Sequence, residues 1–177
     1  MNTMIKTTYN GFCFGDSNGF WAFIVMNESD ADEYIKQPHN LGTSFVSITK
    51  ANGYNIDFSK SYDHIDYITL KFDDCTTDIE GTCITREQAT DIVKFILKFK
   101  DVTQEFCFNC SAGVSRSVAV CAAAMRMLCN DDSPIFKDSY FCPNMTVYRE
   151  ILNAWIDIIS DKNEQTSLDH WNFYDVE

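Results

Sequence analysis

The chain lacks any apolar run of about eighteen residues, the length that a membrane-spanning helix requires. Its first ten residues hold one Lys and no long apolar core, so we expect neither a membrane segment nor a signal peptide. Basic residues are also scarce, since 14 Lys and Arg stand against 26 Asp and Glu, for a formal net charge of −12. A chain this acidic repels nucleic acid and anionic membrane surfaces, so neither is expected as a partner.

Patterns typical of metal binding are scarce as well. Only three His are scattered along the chain, and the eight Cys do not form the two Cys-x2-Cys pairs of a structural zinc site. We therefore expect no metal and no cofactor. Eight Cys without an export signal indicate free thiols in a reducing compartment, so a cytoplasmic location is expected.

The chain does have the length and hydrophobic content of a folded protein. It has 177 residues, of which 45% are hydrophobic, enough to form a core. We predict one domain over residues 1–159, followed by an acidic tail over 160–177 that carries three aromatic residues. The oligomeric state does not follow from the sequence.

Strand and helix patterns alternate along the chain. Apolar or alternating runs predict strands at 20–26, 45–49, 68–72 and 105–109. Helical patterns begin at Ser29, at Thr85, directly after the last strand and near Asn144. The final helix is predicted to bury a stripe formed by Val147, Ile151, Leu152, Trp155, Ile156 and Ile159. This order predicts an α/β fold, with a central, mostly parallel sheet flanked by helices and a site beyond the carboxyl ends of its strands.

One stretch, residues 110–117, carries a chemical prediction. It reads Cys-Ser-Ala-Gly-Val-Ser-Arg-Ser and joins a buried strand to an apolar helix. Loop amides and the positive end of a helix favour a bound oxyanion, and the same field lowers the pKa of the Cys110 thiol. Arg116 offers a planar fork that suits two phosphate oxygens. The stretch therefore predicts phosphoryl transfer to sulfur, followed by hydrolysis.

The loop between Cys110 and Arg116 is predicted to bind the phosphate. Its members and the hydroxyl that follows Arg116 are Ser111, Ala112, Gly113, Val114, Ser115 and Ser117. The spacing Cys-x5-Arg alone is weak evidence, but the strand before it and the helix after it strengthen the prediction.

The proposed reaction also needs an acid that protonates the leaving oxygen and then serves as base for water. Four carboxylates follow the third predicted strand: Asp73, Asp74, Asp78 and Glu80. The spacing of the residues does not choose among them.

Residues 110–117 resemble the signature loop of the cysteine-dependent protein tyrosine phosphatases, and we use that name for them below. The Ala-Gly-x-Ser-Arg-Ser form is most similar to the compact dual-specificity branch of bacterial and viral type. Segments 69–74, 85–98 and 143–154 also fit, so the resemblance covers about residues 20–158. Asn109 departs from the family, which usually has a His before the nucleophile.

The resemblance implies a phosphatase fold and a cysteinyl-phosphate intermediate, with Cys110 as nucleophile and Arg116 as phosphate ligand. It also implies that Asp74 is the general acid, with Asp73 as the close alternative. The expected substrate is a phosphorylated protein or another phosphomonoester, and the choice between phosphotyrosine and phosphoserine or phosphothreonine stays open. The signature loop has no Lys, whereas phosphoinositide-directed relatives often carry basic residues there.

Other functions stay open at this stage. The same loop could serve a phosphatase of RNA 5′ ends, nucleotides or other small molecules. It could also belong to a pseudophosphatase that binds phosphate groups without turnover, for which Asn109 leaves room. A thiol redox protein or an arsenate reductase ranks last, because the loop lies late in the chain.

Overall fold

The structure, a computed structural model, describes residues 10–16, 19–39, 42–77 and 81–172. A five-stranded sheet has the order β1-β2-β5-β3-β4. Its strands are β1 (Asn10–Asp16), β2 (Gly19–Asn27), β3 (Thr43–Thr49), β4 (Asp66–Lys71) and β5 (Glu105–Cys110). β5 pairs in parallel with β2 and β3, and β3 pairs in parallel with β4. The predicted α/β class with a mostly parallel sheet is confirmed.

β1 is the strand that the sequence prediction missed. It pairs antiparallel with β2, so that Phe12 lies opposite Phe23. Among the β1 residues whose burial the structure describes, Phe12 and Phe14 are buried; Gly11 precedes the first and Gly15 follows the second. Two inward side chains are too few for a clear alternating pattern.

Helices cover both faces of the sheet. They are α1 (Glu28–Tyr34), α2 (Arg86–Phe99), α3 (Arg116–Cys129), α4 (Ser133–Lys137) and α5 (Met145–Asn172). Residues of α2, α3 and α5 form one core with Phe106 and Phe108, whereas α1 packs on the opposite face with Cys107 and Phe45. β5 therefore lies between two apolar layers, which agrees with its nearly continuous hydrophobic sequence.

Side-chain caps fix where two of these helices begin. The predicted start of α2 at Thr85 is confirmed by a capping box, in which Thr85 Oγ1 accepts from the Gln88 amide and the Gln88 side chain accepts from Thr85 N. α1 begins at Glu28, slightly earlier than predicted, because the Asn27 side chain accepts from the amide of Asp30.

α5 differs from its prediction in two ways. Val147, Ile151 and Ala154 are buried, but Ile156 is 52% exposed and Ile159 is 38% exposed, so the predicted stripe was wrong for those two. At 100° per residue they turn away from the line through 147, 151 and 154. The helix also continues past residue 160 to Asn172, while Phe173 and Tyr174 lie outside the described residues.

The division between residues 159 and 160 stays a prediction. Of the helices in the described ranges, none has both the length and the apolar character to cross a membrane.

Candidate active site

Cys110 ends β5 at the carboxyl edge of the sheet and is 2% exposed. Ser117 Oγ donates a hydrogen bond to its sulfur at 3.1 Å. The backbone amides of Gly113 and Ser117 also donate toward the sulfur. The strand delivers the thiol, and the loop and the first turn of α3 supply donors to it.

These surroundings change the acidity of the thiol. Burial opposes ionisation, but the hydrogen bonds from Ser117 and Gly113 and the positive charge of Arg116 outweigh it, so the pKa of Cys110 is lowered. Two other buried thiols nearby behave oppositely. Burial and the negative charge of Glu105 both raise the pKa of Cys107. Burial likewise raises the pKa of Cys121. A lowered value therefore follows from the donors around Cys110 and not from burial in this core.

Gly113 allows the signature loop to turn against β2. Its φ is +68°, in the left-handed region that favours glycine. A Cβ at this position would lie 2.7 Å from Asn27 N and 2.7 Å from the carbonyl carbon of Met26. The loop therefore packs directly on the backbone at the end of β2, and no larger residue fits there.

Arg116 is only 4% exposed and begins α3 beneath the loop. Its Nη1 donates to the carbonyl oxygens of Thr49 at 3.1 Å and Phe72 at 2.6 Å, which lie at the ends of β3 and β4. Its Nη2 donates to Ser111 Oγ at 3.2 Å. The Arg116 side chain thus connects the carboxyl ends of β3, β4 and β5.

These bonds leave one edge of the Arg116 guanidinium for a ligand. Nε is buried and has no acceptor among the described residues. Nε shares an edge with Nη2, which has two hydrogens and makes one hydrogen bond to Ser111. This edge can donate in parallel to two oxygens of a phosphate.

Ser115 precedes α3 as its N-cap residue, but its side chain does not cap the helix. Its Oγ instead donates to Asp74 Oδ1 at 2.8 Å. The first-turn amides of α3 therefore stay available to the sulfur and to an anion.

The structure separates the two neighbouring candidate acids. Asp74 is exposed and contacts the signature loop through Ser115. Asp73 is half-buried, and its carboxylate accepts from the amide of Ala51 at 3.1 Å. The other two candidates, Asp78 and Glu80, lie outside the described residues.

The remaining predicted loop residues lie where the signature loop meets solvent or the next segment. Ala112 is exposed, and Ser111 and Val114 are half-buried. The carbonyl of Val114 accepts from the amide of Cys142 at 3.0 Å, which ties the loop to the segment before α5. Within the described residues, no group of three or more His, Cys, Asp and Glu is arranged to hold a metal ion.

Sequence reasoning missed Asn144 as a member of this site. Its Nδ2 donates to Asp74 Oδ1 at 2.7 Å, and its amide caps α5. An Asn that follows Pro143 directly before a helical pattern is a cap signal, and it marked the start of α5 correctly. It gave no sign of the contact with Asp74.

Cys107 and Cys110 have the Cys-x2-Cys spacing of a dithiol redox pair. Two strand residues that are three positions apart point to opposite faces of the sheet. Cys107 accordingly packs with Phe45 on the α1 side, and Cys110 packs with Phe108 on the α3 side. None of the eight Cys, all of which lie in the described ranges, forms a disulfide. This geometry counts against a dithiol role.

Asn109 is fully buried between these two thiols in the strand. Neither its Oδ1 nor its Nδ2 has a hydrogen-bond partner among the described residues. The same holds for Ser47 Oγ on the paired position of β3. Within the described residues, the Asn109 side chain therefore makes no hydrogen bond to the signature loop, where the resembling family usually has a His.

Comparisons with known proteins agree with this architecture. No protein-family model matches the chain, and no curated protein sequence matches it. Among solved structures, PTPMT1 in complex with PI(5)P has a TM-score of 0.54 at 14% identity, over 79% of this chain and 94% of that chain. The human tyrosine phosphatase-like serine/threonine/tyrosine-interacting protein has a TM-score of 0.51 at 16% identity, over 77% and 93%.

A third solved structure is the Yvh1 phosphatase domain from Chaetomium thermophilum. It has a TM-score of 0.50 at 17% identity and covers 82% of this chain and 94% of that chain. Identities this low establish the arrangement of the backbone and nothing finer. The chain has the fold of the cysteine-dependent protein tyrosine and dual-specificity phosphatases.

Proposed function

We propose that this protein is a phosphatase that hydrolyses phosphomonoesters through a cysteinyl-phosphate intermediate. The observation that carries the proposal is the pair formed by Cys110 and Arg116. The pKa of the Cys110 thiol is lowered against the effect of burial by the donors around it, and the Arg116 guanidinium beside it keeps one edge for an oxyanion. A thiolate nucleophile and a phosphate clamp at the start of one helix support transfer of a phosphoryl group to sulfur.

In the first step the Cys110 thiolate attacks phosphorus while the bond from phosphorus to the ester oxygen breaks. Asp74 gives its proton to the departing oxygen, which leaves as an alcohol or phenol. Arg116 and the amides of the signature loop bind the equatorial oxygens, whose negative charge is spread over the transition state. The products of this step are the free alcohol, the cysteinyl phosphate and the Asp74 carboxylate.

In the second step water attacks the cysteinyl phosphate. Asp74 now acts as base and takes a proton from the water, and the bond from sulfur to phosphorus breaks. The Ser117 hydroxyl, 3.1 Å from the sulfur, stabilises the departing thiolate. Inorganic phosphate leaves, and the thiolate and the protonated acid are restored.

The proposed substrate is a phosphorylated protein or a small phosphomonoester. The net charge of −12 disfavours RNA and anionic membrane surfaces, and the signature loop has Arg116 as its basic residue. A phosphoinositide is the alternative substrate to test, because the similar PTPMT1 structure is a complex with PI(5)P.

The test is turnover of an aryl phosphate, phosphotyrosine and phosphoserine peptides, PI(5)P in vesicles and 5′-triphosphorylated RNA. Cys110→Ser should abolish turnover, and acid quenching of the wild-type reaction should yield a phosphorylated Cys110 in mass spectrometry. Cys142→Ser is the matched control, because Cys142 is an exposed thiol near the same loop. Turnover that survives in Cys110→Ser overturns the proposal. Binding without turnover by the wild type favours the pseudophosphatase.

A further inference from the structure

Asn144 lies where the loop after β4, the signature loop and the start of α5 meet. It is 3% exposed. Its Nδ2 donates to Asp74 Oδ1 at 2.7 Å and to the carbonyl of Cys75 at 2.9 Å. Its Oδ1 accepts from the amides of Thr146 at 3.0 Å and Val147 at 3.2 Å. The Asn144 side-chain amide therefore donates two hydrogen bonds through Nδ2 and accepts two through Oδ1.

The neighbours fix which way round the Asn144 amide lies. The Cys75 carbonyl can only accept, so the group that faces it must be the NH2. The backbone amides of Thr146 and Val147 can only donate, so the group that faces them must be the oxygen. A flipped amide would lose all of these bonds, and Asn144 must therefore act as a donor toward Asp74.

The two oxygens of the Asp74 carboxyl are consequently different. Oδ1 receives the Asn144 amide and the Ser115 hydroxyl, at 2.7 and 2.8 Å. Oδ2 has no hydrogen-bond partner among the described residues. A proton on Oδ1 would point at an N–H donor, which is unfavourable, whereas Oδ2 is free to carry one.

We propose that Asn144 is the positioning residue of the general acid: it holds Asp74 so that Oδ1 is a permanent acceptor and Oδ2 carries the proton that is transferred. This inference rests on the proposed phosphatase function. In the first step the proton passes from Oδ2 to the departing oxygen, and the carboxylate that remains keeps two donors on Oδ1. In the second step Oδ2 takes the proton back from water. Because the same amide caps α5, the position of that helix and the position of the acid are coupled.

In the described ranges, the ionisable groups on the two loops that meet at Asp74 are Asp73 and Cys75 on its own loop and Cys110 and Arg116 on the signature loop. Asp78 and Glu80 follow on the loop of Asp74 but lie outside the described residues. Directly before α5, the group that contacts Asp74 is the neutral side-chain amide of Asn144. A charge placed at residue 144 would therefore act directly on the Asp74 carboxyl, which makes this position a sensitive probe.

Two substitutions separate positioning from capping. Asn144→Asp and Asn144→Ser both keep an oxygen that can cap α5, since Asp, Asn and Ser are comparable caps. Asn144→Asp places a second carboxyl beside Asp74, so the basic limb of the kcat/KM profile should move to higher pH by about one unit. Asn144→Ser removes the NH2 group that reaches Asp74 and leaves a shorter side chain whose hydroxyl oxygen can still cap α5, without adding charge. The kcat on a phosphotyrosine peptide should therefore fall about tenfold. Nitrophenyl phosphate, whose leaving group needs little protonation, should be much less affected.

The same Asn144→Ser substitution in an Asp74→Asn background is the decisive control. If Asn144 acts through the acid, it should cause no further loss of kcat there. Three results would overturn the proposal and leave Asn144 as a helix cap alone. They are an equal loss of kcat on both substrates in Asn144→Ser, a loss of kcat that persists in the Asp74→Asn background, and an unmoved basic limb in Asn144→Asp. Failure of the phosphatase function itself is a separate result, because it appears as turnover in Cys110→Ser. Thermal unfolding of each variant checks that α5 is intact.

Discussion

Ser117 Oγ donates to Cys110 Sγ across 3.1 Å, from the first turn of α3 to the last residue of β5. The hydroxyl is fully buried, so no water competes with the sulfur for its proton. It is the strongest of the contacts that lower the pKa of Cys110 against the opposing effect of burial. This buried hydroxyl would stabilise a negative charge on the Cys110 sulfur.

Ser117→Ala should raise the pKa of Cys110, by about one unit for the loss of one buried hydrogen bond to the thiolate. A thiol with a lowered pKa stays ionised to lower pH, so the acidic limb of kcat/KM and of iodoacetamide labelling should both move upward in the variant. Ser115→Ala is the matched control, because that hydroxyl bonds Asp74 and not the sulfur. An unchanged labelling midpoint in Ser117→Ala would contradict the assignment.

Arg116→Lys should lower turnover by about a hundredfold or more, which corresponds to several kcal/mol of lost transition-state stabilisation. An ammonium group cannot bond the Thr49 and Phe72 carbonyls and also present two parallel donors to a phosphate. Steady-state kinetics on an aryl phosphate measures this loss. Arg126→Lys, at an exposed position of the same helix, should behave like the wild type. Near-normal kinetics in Arg116→Lys would remove Arg116 from the mechanism.

Asp74→Asn should slow hydrolysis of a phosphotyrosine peptide far more than hydrolysis of a fluorinated aryl phosphate, whose phenol departs without a proton. The basic limb of the pH–rate profile should disappear as well, since that limb reports loss of the acid's proton. Asp73→Asn should have the smaller effect, because that carboxylate accepts from Ala51 N. If the two variants exchange these behaviours, Asp73 is the acid. If neither shows them, the acid is another residue, with Asp78 the next to test.

Gly113→Ala should destabilise the fold and abolish turnover. Left-handed backbone costs about 1–2 kcal/mol for a residue with a Cβ, and contacts of 2.7 Å with the backbone of Met26 and Asn27 add an overpacking cost of about 1–3 kcal/mol. Gly81→Ala is a matched control with a similar φ of +73° and no atom within 4 Å of its Cβ. Chemical denaturation of both variants separates the two terms. Equal losses of stability would mean that the loop does not press on β2.

The sequence was sufficient to predict which residues of the candidate site lie close together in the chain. Cys110 and Arg116 belong to one loop, and a strand before it and an apolar helix after it have strong local patterns. The sheet class followed from the alternation of these patterns. Asp74 was preferred to Asp73 on resemblance alone, and its contact with Ser115 is visible only in the structure.

Contacts made by distant segments could not be predicted. The carbonyls of Thr49 and Phe72 that hold Arg116 are backbone atoms, which leave no trace in the identity of a residue. Asn144 predicted the start of a helix, but the sequence did not predict the hydrogen bond from its side-chain amide to Asp74. Ile156 and Ile159 look like core residues by composition, and only the packed position of α5 decides that they face solvent.

The fit of Gly113 against β2 also determines how this loop can be altered by directed evolution. A library that varies position 113 should return glycine almost alone, because both the backbone angle and the neighbouring main chain exclude other residues. Ala112 is exposed and Val114 is half-buried, so new side chains are accommodated on the outer rim of the loop. If the proposed function holds, altered substrate preference should therefore be selected at residues 112 and 114, with Gly113 unchanged.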